Sequence, residues 1–198
     1  MKSNILHFSI VLMLIASALT TSAQAQDVKS WSTAGSTGTT DKIDLNKIVY
    51  SNGTVAFPEI QGPQSSARRA AGLQLQTVQA VIRYNVTAAD GLFFDSGRLC
   101  MVVRFRDDGN RARVFLRLLR LSVSDGTSAT LLTFDSNSFS PQQDFQTNSV
   151  GTNRVPFDFS QNAYYVEATL IKQQPIATVG GGRPALAVVV LTRCNPIT

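Results

Sequence analysis

The sequence predicts an all-β fold: an antiparallel β-sandwich of the jelly-roll or Greek-key kind, with about eight strands in a single domain. Three observations predict it. Apolar and polar residues alternate with a period of two over most of the chain, as in Val78, Ala80, Ile82, Tyr84 and Val86 against Gln79 and Arg83. Turn-forming pairs such as Asn52-Gly53, Asp108-Gly109 and Asp125-Gly126 break that alternation repeatedly. No stretch of the domain carries a convincing amphipathic helix.

The elements follow in chain order. Residues 1–25 read as a signal peptide: Lys2 gives a positive start, residues 10–19 an apolar run, and Ala23-Gln24-Ala25 the small-x-small pattern before a cut at Gln26. That run is shorter than the ~20 residues a membrane helix needs, so no membrane span is expected in the mature form. Residues 26–40, rich in Ser, Thr and Gly around the sole Trp31, read as a flexible lead-in. Residues 41–198 make the sandwich. Within it Asn52-Gly53 predicts a two-residue hairpin between residues 48–51 and 54–57. Residues 99–106 and 111–123 read as a long hairpin turned by Asp107-Asp108-Gly109-Asn110, with 129–134 as its meander partner. Between 135 and 160 the composition shifts to Ser, Asn, Gln and Pro with isolated phenylalanines, which reads as a long loop with one short strand. Residues 164–171 and 185–193 finish the sheet, and the apolar run 186–191 predicts a central strand covered on both faces.

Composition narrows the chemistry. Formal net charge is +5, and removing Lys2 with the signal leaves 17 basic against 13 acidic side chains. The only histidine, His7, leaves with the signal, so the mature chain has no imidazole for a Ser-His-Asp or Cys-His system or for a zinc site. An even cysteine count in an exported chain predicts a Cys100–Cys194 disulfide, which also withdraws thiolate chemistry. No enzyme, cofactor or metal is expected. The acidic turns at 95–97, 107–110 and 135–137 read as turns, since none completes a calcium loop.

The best contact for a ligand is a set of five arginines. Arg104 and Arg106 share one face of an extended strand, and Arg111, Arg113 and Arg117 share one face of the next. Paired through the 107–110 turn, they would line a sheet surface fit for an anionic polysaccharide or cell-surface polymer. The reading is therefore a secreted or periplasmic, non-enzymatic binding module for an extracellular polymer, with no nucleic acid expected. A self-assembling matrix protein and a small outer-membrane β-barrel are the alternatives.

Overall fold

The computed structural model describes residues 30–58, 75–87, 98–109, 111–153, 155–175 and 182–194. The signal and its cut, the 95–97 turn and the whole connection 61–72 lie outside them. The described residues form two antiparallel sheets packed as a sandwich, as the alternation predicted. Sheet A contains β3 (Val49–Ser51), β4 (Thr54–Ala56), β11 (Ala185–Arg193), β6 (Leu99–Asp107) and β9 (Gln142–Thr152) in that order, with β1 (Trp31–Ala34) also paired to β11. Sheet B runs β2 (Thr39–Thr40), β5 (Leu75–Val86), β10 (Asn162–Pro175), β7 (Ala112–Ser122), β8 (Ser128–Asp135). Along the chain, consecutive strands mostly change sheet. Only β3–β4 and β7–β8 pair as sequence neighbours.

Alternation puts one row of each long strand inside. Leu99, Met101, Val103 and Phe105 of β6 and Val189 and Leu191 of β11 face Ile82, Tyr84, Leu116, Leu118, Val166 and Leu170 of sheet B, all buried. Each such side chain contributes roughly 1.5–3 kcal/mol through its burial. β11 is central, as predicted, but its outward Val188 and Val190 are half-buried rather than covered. The Asn52-Gly53 hairpin forms with both residues at positive φ, 47° and 78°, as a type I′ turn requires.

Three expectations need correction. Residues 31–40 of the lead-in are ordered into β1, a 3₁₀ turn at Gly35–Thr37 and β2, and Trp31 is buried opposite Leu191. Gly35 belongs to packing rather than flexibility, because a Cβ there would stand 2.0 Å from the Leu186 carbonyl oxygen. Tyr84 in the core donates its hydroxyl to the Gly35 carbonyl at 2.8 Å, and burial raises its pKa. The 135–160 segment is not mainly loop, since it carries the eleven-residue edge strand β9. An edge strand pairs on one side only, so β9 needs little apolar alternation; Val150 packs on the core while Asn148 bonds Gln146.

The third correction is the largest: β6 and β7 are not a hairpin. β6 ends at Asp107 in sheet A and β7 begins at Ala112 in sheet B, where it pairs with β10 and β8 instead. Asp107, buried, anchors the crossing by accepting from the Gly109 N–H at 3.0 Å and from the Ser136 hydroxyl. Ser136 in turn accepts the Val114 N–H at 2.8 Å, satisfying a backbone donor just beyond the end of β8. Two separate sheets around an apolar interior also set aside the barrel alternative, whose inward face would be a polar lumen. The predicted disulfide is present, joining Cys100 to Cys194 across the β6–β11 end of sheet A.

Candidate binding face

Because β6 and β7 lie in different sheets, the five arginines do not make one surface. Arg104 and Arg106 stand on the outer face of sheet A, while Arg113 and Arg117 stand on the outer face of sheet B, with Arg111 at its end. The two groups also differ in how their charge is met. Arg113 binds Asp135 with two hydrogen bonds, 3.0 and 2.6 Å, and Arg117 binds Glu167 at 2.5 Å.

Register builds the sheet B face. Glu167 of β10 lies opposite Arg83 of β5 on one side and Arg117 of β7 on the other, so one carboxylate receives a guanidinium from each neighbour. Arg83 Nε donates to Oε2 at 3.0 Å, and its Nη1 reaches Asp41, also at 3.0 Å. Glu167 keeps only 11% of its side-chain exposure beneath two arginines that stay about two-fifths exposed, at 40% and 43%. Burial works against the Arg83 charge, but its bonds to Asp41 and Glu167 outweigh that and hold its pKa above the ordinary value. One row along, Thr169 lies between Val81 and Phe115; one row the other way, Tyr165 lies between Asn85 and Leu119.

A third fixed guanidinium follows. Arg113 lies 4.8 Å from the centroid of the Phe115 ring while it bonds Asp135. Burial alone would raise the Asp135 pKa; the Arg113 hydrogen bond, the Asn137 N–H and the Arg113 charge together bring it below the ordinary value. Three arginines on this face are thus met by three carboxylates, Asp41, Asp135 and Glu167. Those charges balance along the Glu167 and Asp135 rows, while Arg111, at the end of the face, forms no ion pair among the described residues. The face offers fixed donors and acceptors at planar groups, flanked by the half-buried rings of Tyr165 and Phe115.

Its end opens into a cleft of about 550 Å³ where β8 stops short of the start of β7. Arg111, Arg113, Ile171 and Gln173 form one wall, and Asn137, Phe139 and Pro141 the other. That volume falls within the roughly 300–1,000 Å³ of small-ligand sites. From Tyr165 to Gln173 the face runs about 27 Å at ~3.4 Å per residue, long enough for several units of a polymer.

No family model matches this chain. No curated protein matches it either. Among solved structures it is similar to a family 61 carbohydrate-binding module in complex with β-1,4-galactotriose, at 6% identity over 83% of this chain and 88% of that one, TM-score 0.34. A family 11 carbohydrate-binding module from Clostridium thermocellum, in complex with a β-1,3-1,4-mixed-linked tetrasaccharide, matches at 12% over 82% and 88%, TM-score 0.36. Eiger TNF from S. frugiperda matches at 13% over 61% and 66%, TM-score 0.26. Scores this low leave the ligand of this chain to be argued from its own side chains.

Two residues of the face escaped the sequence reading. Arg83 was visible only as an outward residue of its strand, and Glu167 only as one carboxylate among many. Their meeting with Arg117 depends on the β5–β10–β7 register, which joins residues 84 and 50 positions apart and leaves no local signal. Tyr164 and Tyr165 divide as alternation requires, the first buried in the core with Phe157 and Phe159, the second half-exposed on the face.

Proposed function

We propose that this chain is a secreted, non-enzymatic binding module for an extracellular polymer, and that the outer face of sheet B holds a hydroxyl-rich, uncharged stretch of it. The observation that carries the reading is the Arg83–Glu167–Arg117 row, fixed across three strands and open to solvent. A sugar hydroxyl both donates and accepts, so it matches a surface whose arginines keep free N–H groups and whose carboxylates are already held. Tyr165 and Phe115 supply ring faces for the apolar C–H side of a sugar. A polyanion would need uncompensated positive charge along its length, and the arginines of the Glu167 and Asp135 rows are paired. Export is supported by the signal-like first 25 residues and by a disulfide suited to an oxidising compartment.

Affinity electrophoresis of the mature chain through gels containing galactan, mixed-linked β-glucan or cellulose derivatives tests the reading. At least one neutral polymer should retard the protein, and its retardation should hold as salt rises. Tyr165→Ala and Arg117→Gln should each weaken binding about tenfold, the loss of about 1.4 kcal/mol. Migration unaffected by every neutral polymer, or by both substitutions, would refute the assignment.

A further inference from the structure

The two arginines left on sheet A have a different environment. Arg104 and Arg106 project from the same face of β6 one pleat repeat apart, about 7 Å along the strand. Both guanidiniums lie over one ring, Phe145 of the edge strand β9, at 6.0 and 5.6 Å from its centroid. Arg106 Nε donates to the Arg183 carbonyl at 3.1 Å, which fixes its plane. Among the described residues no carboxylate lies within ion-pair distance of either, whereas Arg83, Arg113 and Arg117 on the opposite face are all paired.

A shared ring orients two like charges but does not neutralise them, because its negative face offers only about 0.5–1 kcal/mol per exposed cation. Their repulsion persists until an anion arrives. The register neighbours of Arg104 are Thr147 on β9 and Val188 on β11, and that of Arg106 on β11 is Ala185, all without charge. Oriented guanidiniums with unspent N–H groups are the donors suited to planar or tetrahedral oxyanions in a bidentate fashion.

We propose that Arg104, Arg106 and Phe145 form a second binding site, on the face opposite the first, for an anionic polysaccharide bearing sulfate or uronate groups. An extended, repeating chain suits an open surface beside an edge strand. Two sites on opposite outer faces make one molecule a bridge between an anionic and an uncharged polymer. The bridging part rests on the function proposed above; the anionic site stands without it.

Retention of the mature chain on immobilised dextran sulfate and polygalacturonate tests the site. The protein should be retained at low salt and released as ionic strength passes about 0.1 M, where the Debye length falls to about 10 Å. The R104Q/R106Q double variant should bind at least tenfold more weakly, while Tyr165→Ala should bind as the parent does. Arg104→Gln alone, at an exposed position, should lose severalfold and guards against misfolding of the double variant. Retention that survives both variants, absence of retention, or equal binding of the parent to double-stranded DNA and anionic vesicles would overturn the site. Loss of neutral-polymer binding in Tyr165→Ala with dextran sulfate retention intact separates this site from the sheet B face.

Discussion

Removing the Cys100–Cys194 disulfide is expected to lower the unfolding free energy by about 4–5 kcal/mol, because it closes a loop of 94 residues in the unfolded chain. The covalent link joins β6 to the residue after β11, the two strands at the centre of sheet A. Its loss also frees the last strand to fray from its C-terminal end. The space for the bridge comes from the edge strand: Gly151, opposite Cys100, would place a Cβ 3.0 Å from one sulfur and 3.2 Å from the other. Urea unfolding of the parent and of the Cys100→Ala/Cys194→Ala variant, both under non-reducing conditions, measures the effect. Midpoints that differ by less than the equivalent of about 1 kcal/mol would show that the native sheet, and not the link, limits stability.

Phe105→Ala is expected to cost about 3–5 kcal/mol, the range for emptying a buried aromatic position. Phe105 is fully buried and touches Phe134 edge-on at 5.1 Å and Phe139 at 6.3 Å between centroids. These rings come from sheet A, from sheet B and from the segment that crosses back, so they join the three pieces of chain around the cleft. Phe139 is only partly buried and stacks on Phe134 at 5.3 Å, so its truncation should cost less than half as much. Paired denaturation curves for Phe105→Ala and Phe139→Ala read the difference directly. Equal losses would mean that the ring cluster does not hold the two sheets together at this end.

Which residues face inward was legible in the sequence; which strands stand side by side was not. The reason is visible at residues 107–110. A tight turn between paired strands and an arch between stacked sheets use the same Asp, Gly and Asn chemistry, and both put Phe105 and Val114 in the interior. Only a nonlocal contact separates them: the buried Asp107 carboxylate held by Ser136, which is 29 residues away. For the same reason alternation assigns a face to Arg104 and Arg106 and to Arg113 and Arg117 within each strand, but not their separation onto two sheets. The Asn52-Gly53 hairpin and the disulfide were legible because turn conformation and cysteine pairing are set by few residues. The lead-in misled because Trp31, Gly35 and Gly38 pack closely within a composition that otherwise resembles a linker, with a Cβ on Gly38 coming 2.2 Å from Ile82. β9 misled because even the row aligned with the buried residues of β6 carries Gln146 and Asn148 beside Val150.

The central claim is that the outer face of sheet B, rather than the arginines of sheet A, meets the uncharged polymer. An amide chemical-shift titration with an oligosaccharide of the neutral polymer retained by the protein tests it most directly. The account predicts shifts that cluster at Arg83, Phe115, Arg117, Tyr165 and Glu167 and extend toward Arg113 and Gln173 at the cleft. Shifts confined to β6, β9 and β11, with the sheet B face silent, would contradict it.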